Sequence, residues 1–401
     1  MRIAIFTDTY RPEINGVVTS IDTYRGELER QGHEVWLYCP RYFGQEDPDP
    51  RIVRIPSIPF PFRMMKERRL AWMGPMSLLR FGKINADVIH SQVPGNMGVA
   101  ALLASVLWRT PHVHTYHTHY MEYVHYTPFP TSFSRRAVVW IARHFCGRCN
   151  LVIAPSTDIK EAILSYGVDA PITVIPTGID LANRNTETPL EHLLERYRLG
   201  SVEGLAGKKL LVSVGRLGRE KNIRFLIRAV SRIRDVGRPF HFFMIGDGPD
   251  RGQIEEEIRQ RSIEDHVTLT GYLDRDDVLS FLRASDLFIF ASKTETQGLV
   301  LLESMAVGTP VVAIRASGVS DLIGDDIGGT LTPDDVDEFS KTVLDLLGAP
   351  ALYRKKRRQA LYRSSLWSVE NQARRLLAVY EAAIVEFRRH GMPRFRRRHR
   401  F

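Results

Sequence analysis

Short apolar runs recur along the chain, each followed by a polar loop and then by a stretch with helical spacing. The first, Arg2-Ile3-Ala4-Ile5-Phe6-Thr7, passes through Tyr10-Arg11-Pro12-Glu13-Ile14-Asn15-Gly16 into a helical pattern that ends at Gln31 with Gly32 as its cap. Glu34–Tyr38 is the next run, then Asp87–His90, His112–Tyr116, Leu151–Ala154 and Thr173–Ile175. Alternation of β-rich runs with helical stretches predicts a parallel sheet with helices on both faces. Residues 182–209 break the rhythm: they are polar, helical in pattern and strandless, with glycines at 200, 204 and 207, which predicts a linker. A second alternation follows, with runs at Leu210–Val214, His241–Ile245, Val267–Leu269, Leu287–Phe290 and Pro310–Ala313.

The pattern thus predicts an α/β chain of two Rossmann-like domains facing a cleft, over residues 1–185 and 205–366. Trp367–Phe387 reads as a final amphipathic helix with Val369, Ala373, Leu376, Leu377, Tyr380 and Ile384 as its apolar stripe. Ligands of such sheets bind outside the carboxyl ends of the strands, so functional residues are expected just after each strand. A length of 401 residues agrees with two domains at ~100–200 residues each.

Apolar residues at 44% and charged residues at 25% exclude wholesale disorder. The formal charge of +9 alone would point to nucleic acid or an anionic membrane. Residues 388–401, however, hold seven Arg and no acid, which leaves +2 for residues 1–387. A near-neutral body with no recognised nucleic-acid module argues against nucleic acid, and seven Arg on a short tail fit an anionic membrane surface at least as well. Three cysteines make no disulfide framework, so a cytoplasmic setting is expected, with Cys146 and Cys149 as helix packing. The apolar run in Met1–Thr9 is too short for a signal peptide, and Asp8 interrupts it. Met97–Trp108 is the longest apolar run and falls short of the ~20 residues a spanning helix needs. Membrane contact is therefore expected to be peripheral, on the inner face of the cell membrane.

The strongest chemical signal follows Leu210–Val214. Gly215-Arg216-Leu217-Gly218-Arg219-Glu220-Lys221-Asn222 puts two cations, Arg216 and Lys221, at a strand exit, where they could clamp a pyrophosphate without metal. Thr294-Glu295-Thr296-Gln297-Gly298 follows Leu287–Phe290 and opens a helix at Leu299-Val300, whose first amides could meet a phosphate or sugar hydroxyls. Glu303, in an apolar run on that helix, needs a partner and could hold a ribose diol. Gly246 and Tyr272 mark further strand-end loops that could line a nucleotide. Asp47-Pro48-Asp49 and Asp274-Arg275-Asp276 have the form of a metal-binding DxD but read as solvated turns, and no metal geometry is evident in His114, His117 and His119.

Together the second-half motifs resemble the retaining glycosyltransferases of family 4, which have the GT-B fold. The resemblance runs from Ile5 through the Gly16 loop and Gly32-His33-Glu34-Val35 to Trp367, and is most specific at Gly215-Arg216…Glu220-Lys221-Asn222 and the Glu295/Glu303 pair. It implies a nucleotide-sugar donor, no cofactor and no essential metal. Arg216 and Lys221 would bind the donor diphosphate and Glu303 the ribose. Glu295 with the amides of Gly298, Leu299 and Val300 would hold the hexose, and Gly16 would meet the phosphate. His117 would contact the sugar near the reacting carbon. The last helix would cross back to the N-terminal domain.

The string His114-Thr115-Tyr116-His117-Thr118-His119-Tyr120-Met121-Glu122-Tyr123-Val124-His125-Tyr126 looks like that of the bacterial diacylglycerol glucosyltransferases, although their pattern usually has Met where His119 stands. This implies a lipid acceptor, met by Tyr120, Tyr123, His125 and Tyr126, and transfer of glucose from UDP-glucose to the 3-hydroxyl of 1,2-diacylglycerol. The alternative is a family 4 glycosyl- or mannosyltransferase with another lipid, a polysaccharide precursor or a small molecule as acceptor. Phe60–Met73 interleaves apolar and basic residues and is expected to lie on the membrane through Phe62, Arg63, Lys66, Arg68, Arg69 and Trp72.

Overall fold

The computed structural model describes residues 1–13, 15–44, 47–60, 69–126, 129–181, 188–324 and 326–391. The chain divides into two compact units, Met1–Gly178 with Val369–Phe401, and Ile179–Ser368. In chain order the first unit contains β1 (Arg2–Phe6), α1 (Gly16–Arg30), β2 (Glu34–Pro40), β3 (Ile52–Ile55), β4 (Ser57–Pro59), β5 (Arg69–Ala71), α2 (Pro75–Gly82), β6 (Val88–Ser91), α3 (Asn96–Trp108), β7 (His112–Thr115), α4 (Thr131–Cys146), β8 (Leu151–Ala154), α5 (Thr157–Ser165) and β9 (Ile172–Val174). The second contains α6 (Leu190–Arg196), β10 (Lys209–Val214), α7 (Ile223–Asp235), β11 (Phe240–Ile245), α8 (Arg251–Gln260), β12 (Val267–Gly271), α9 (Arg275–Ala284), β13 (Leu287–Phe290), α10 (Leu299–Ala306), β14 (Val311–Ile314), α11 (Ser320–Ile323), β15 (Gly329–Thr332), α12 (Val336–Gly348) and α13 (Pro350–Ser365). α14 (Val369–His390) belongs to the first unit.

The first unit's sheet is all parallel in the order β3-β2-β1-β6-β7-β8-β9, and the second unit's in the order β12-β11-β10-β13-β14-β15. Both are doubly wound, so the order reverses between β1 and β6 in one unit and between β10 and β13 in the other. A crevice opens at the carboxyl ends of such strand pairs. Period-two alternation splits each central strand between two cores. Ile3 and Ile5 pack with α1 and α14, whereas Ala4 and Phe6 pack with α3. In β10, Leu211 faces one core, and Leu210 and Val212 face the other. Along α14, Leu376, Val379, Tyr380 and Ala383 are buried in the first unit's core. The larger of these side chains each contribute about 1.5–3 kcal/mol by leaving water.

Three expectations change. Residues 188–208 do not behave as a free linker: Leu193 and Leu194 of α6 are fully buried in the second unit's core. Four strands were not foreseen, at Ile52–Ile55, Ser57–Pro59, Arg69–Ala71 and Gly329–Thr332. β3 and β15 close the edges of their sheets, where one side is unpaired and the apolar signal is weak. The amphipathic segment expected over Phe60–Met73 contains β5, which pairs antiparallel with β4, and Phe62, Arg63, Lys66 and Arg68 lie outside the described residues. Among the described residues, no helix is long and apolar enough to cross a membrane.

Candidate functional site

In the second unit, the residues after β10 and β13 meet at the reversal of strand order. Lys221 closes a short 3-10 turn, Arg219–Lys221, and its Nζ pairs with Glu295 Oε1. Both side chains are mostly buried. The contact joins the two strongest sequence motifs, which the sequence reading had given separate tasks. Arg216 lies on the same loop and is exposed.

The loop itself is tightly held. Leu217 N–H donates to Asp247 O at 3.0 Å, Gly215 N–H to Ile245 O at 2.9 Å and Asp250 N–H to Leu217 O at 3.0 Å. Gly246 has φ +127°, and a Cβ there would stand 2.1 Å from Gly215 O, so only glycine lets the two loops touch. Gly246 N–H donates to Gly271 O at 2.8 Å, and the Tyr272 hydroxyl to Asp247 O at 3.3 Å. Gly246 and Tyr272 therefore brace the Arg216–Lys221 loop. From the other side, Ser317 bridges Thr294, and Gly318 comes so close to Glu295 that a Cβ would stand 2.4 Å from the Glu295 carbonyl oxygen.

Gly298 caps α10 in the left-handed region, at φ 78°, and its side-chain-free turn presents the amides of Leu299 and Val300 at the helix start. Glu303, farther along α10, has the partner its apolar surroundings demanded: Arg275 Nη2 lies 3.3 Å from its Oε1. Burial raises the Glu303 pKa, and the Arg275 charge opposes that rise. Arg275 was not assigned from sequence because it sat inside a supposed DxD turn.

In the first unit, the Asn15 side chain caps α1, accepting from Val17 N–H at 3.0 Å and Val18 N–H at 3.1 Å. Two of the amides near Gly16 are thus already engaged. Gly16 has ordinary helical backbone, and a Cβ there would meet nothing within 4 Å. Gly16→Ala should raise stability by about 0.5 kcal/mol. If a ligand approaches this backbone, the same change raises the donor KM several-fold in initial-rate assays; an unchanged KM removes Gly16 from the donor contacts.

His117 follows β7, and its Nε2 lies 2.6 Å from Gln92 Oε1. Gln92 follows β6, the strand across the reversal from β1, and is buried. The rule that function sits after strands points to Gln92, but the run Asp87–His90 passes into the polar Ser91-Gln92 and drew no assignment. Burial lowers the His117 pKa to about 4, so the ring is neutral at pH 7. With Nε2–H directed at Gln92, Nδ1 is left as an acceptor. Behind it, His90 joins Tyr380 of α14 and Thr115, each at 2.7 Å. Tyr120 begins a 3-10 helix, Tyr120–Tyr126, and its ring packs edge-on against Tyr116 at 5.4 Å. Tyr123, His125 and Tyr126 lie on the same turn, and only their backbone is described.

Other candidates resolve into structural roles. Asp47 binds Arg54, and Asp49 binds Arg51 and Arg25, which hold the Asp49 pKa down to about 2. His114 bonds Ser91 rather than joining His117 and His119. Cys146 and Cys149 are fully buried, and burial pushes the Cys146 thiol up to about 12. Arg69, expected to face lipid, donates to Ser57 Oγ at 2.8 Å and Ser57 O at 3.0 Å across the β4–β5 pair. Trp72 is exposed.

Residues 14–183 match the family described as Glycosyltransferase Family 4, and residues 201–363 match Glycosyl transferases group 1. The chain is 34% identical over 394 residues to the alpha-monoglucosyldiacylglycerol synthase of Streptococcus pneumoniae, covering 96% of this chain and 86% of that protein. This chain belongs to glycosyltransferase family 4. A second relative, the alpha-monoglucosyldiacylglycerol synthase of Acholeplasma laidlawii, is 29% identical, covering 81% of this chain and 83% of its own. The crystal structure of Anabaena HepE in complex with UDP and glucose has the same fold, at TM-score 0.69 and 19% identity, covering 95% of this chain and all (100%) of that one. The fold is GT-B, and the family 4 enzyme is a glycosyltransferase whose two matched segments correspond closely to its two units.

Proposed function

We propose that this enzyme transfers glucose from UDP-glucose to the 3-hydroxyl of 1,2-diacylglycerol at a membrane surface, with retention and without an essential metal. The observation that carries the reading is the Lys221–Glu295 pair at the strand reversal of the second unit. A leaving nucleoside diphosphate gains negative charge as the glycosidic bond breaks. A preorganised ammonium, with Arg216 beside it on the same loop, stabilises that charge at the moment it forms. Lys221 also neutralises Glu295, so a carboxylate can stand beside a diphosphate and accept hexose hydroxyls. Glu303, paired with Arg275, holds the ribose diol, and the α10 amides meet the hexose. Neutral His117 offers Nδ1 to a sugar hydroxyl.

The acceptor reading is supported by the His114–Tyr126 string and by the names of the pneumococcal and Acholeplasma relatives. HepE holds UDP and glucose on the same fold, which supports the donor. Incubation with diacylglycerol vesicles and radiolabelled UDP-glucose, in the presence of EDTA, should yield labelled monoglucosyldiacylglycerol, with GDP-mannose inactive. Absence of labelled lipid from every donor overturns the acceptor, and a requirement for added metal overturns the charge assignment to Lys221 and Arg216.

A further inference from the structure

We propose that the outer face of α3 and α4 in the first unit is the surface on which this enzyme seats on an anionic lipid bilayer. The inference rests on the lipid-acceptor reading only for its consequence for activity; the surface itself stands on geometry.

A helix covering a sheet normally turns a polar face to water. α3, Asn96–Trp108, has no charged residue. Its inner face buries Met97, Ala100, Ala101 and Ala104, and its outer face presents Val99, Leu103, Val106 and Leu107, which are 48% to 59% exposed. These four follow helical spacing, so they form one stripe. Phe145 of α4 approaches Gly98 of α3, where an added Cβ would stand 3.1 Å from its ring, so the two helices are neighbours.

α4 contributes the other half of the surface. Phe133, Trp140 and Ile141 are exposed, and Phe129, just before the helix, packs on Phe133 at 5.8 Å. The same helix carries Arg135, Arg136 and Arg143, all exposed, and contains no acidic residue. An apolar stripe flanked by cations and aromatic rings matches the layering of an anionic bilayer, with acyl chains below and phosphates above. A second copy of the chain fits this surface poorly. A two-fold interface would set the α4 arginines of one copy against the same face of the other, like charge near like charge. The surface also connects to the proposed chemistry, because the Tyr120–Tyr126 turn packs on α4. A docked α4 would bring that turn to the bilayer surface, where diacylglycerol lies.

The test uses the full chain in vesicle flotation, with phosphatidylcholine alone and with phosphatidylglycerol added. The wild type should float with the anionic vesicles. Leu107→Glu combined with Trp140→Glu should weaken flotation by about tenfold or more while thermal unfolding is unchanged. A gentler variant, Arg135→Gln with Arg136→Gln and Arg143→Gln, should lose the preference for anionic vesicles and keep its fold. Both variants should retain transfer to a soluble short-chain diacylglycerol and lose transfer to vesicle-borne diacylglycerol. Wild-type flotation in both variants overturns the proposal, as does a solution dimer that the variants dissociate without any change in flotation. If the wild type transfers nothing to short-chain diacylglycerol, the acceptor reading fails, and flotation alone still decides the docking face.

Discussion

Lys221→Ala should lower kcat by about 10²–10³-fold, the effect of removing one preorganised charge-stabilising group from a low-dielectric site. The loss should exceed that from Arg216→Ala, because Arg216 is exposed whereas Lys221 is mostly buried and held against Glu295. Water screens an exposed cation and leaves a sheltered one its full field. Lys221→Arg should recover part of the rate, since charge is kept and position is changed. A merely structural pair behaves differently. If Lys221 served only to neutralise Glu295, Lys221→Ala would chiefly lower the melting temperature, and Lys221→Ala with Glu295→Gln would restore both stability and rate. Steady-state kinetics and thermal unfolding of the two single variants and the double variant separate these cases. Recovery of kcat in the double variant would remove Lys221 from the chemistry.

The same site shows what the sequence could convey. Lys221, Glu295, Gly298 and Glu303 were legible because the strands before them are mostly apolar and the motifs follow within a few residues. What joins them was not legible. The Lys221–Glu295 contact spans β10 and β13, far apart in the chain and neighbours only through the strand order. Gly246 and Gly318 matter because another backbone comes within reach of their missing Cβ, and no local pattern announces such an approach. Gln92 and Arg275 are single polar residues whose meaning comes from the partner each finds in space. The edge strands β3 and β15 escaped for the reason edges usually do: half-exposed positions dilute the apolar signal. The α3 and α4 surface was hidden differently. Met97–Trp108 was noted for its length and set aside as too short to span a membrane, yet a helix apolar on both faces raises a second question, namely what its outer face meets.

Acid should unfold the first unit steeply, and well above the carboxylate range. His90, His112, His114 and His117 lie together around β6 and β7, where burial holds their pKa values down: about 3 for His90 and His112, about 4 for His117, and well below the ordinary value for His114. Each stays neutral in the fold, while in the unfolded chain each titrates at about 6.5. Above that pH neither state is protonated and the four groups cost nothing. As the pH falls from about 6.5 toward 4, the unfolded state takes up protons that the native state refuses, so stability drops by about 1.4 kcal/mol per pH unit for each histidine. Four together give a slope of roughly 5 kcal/mol per unit, against a typical total of about 5–15 kcal/mol. Glu303, in the second unit, acts in the opposite sense, because its raised pKa lets that fold bind a proton first, and it leaves the first unit's balance unchanged. Asp49, held near 2, matters only below this window. Among its described residues the second unit has one comparable histidine, His241, lowered to about 4, and should lose stability less steeply. Four of the five tryptophans (Trp36, Trp72, Trp108 and Trp140) lie in the first unit, so fluorescence reports mainly on it. Urea midpoints by fluorescence should fall sharply between pH 6.5 and 5, and His112→Gln should flatten the dependence by one histidine's share. Midpoints that stay level down to pH 5 would mean that these rings are already protonated in the fold or open to water.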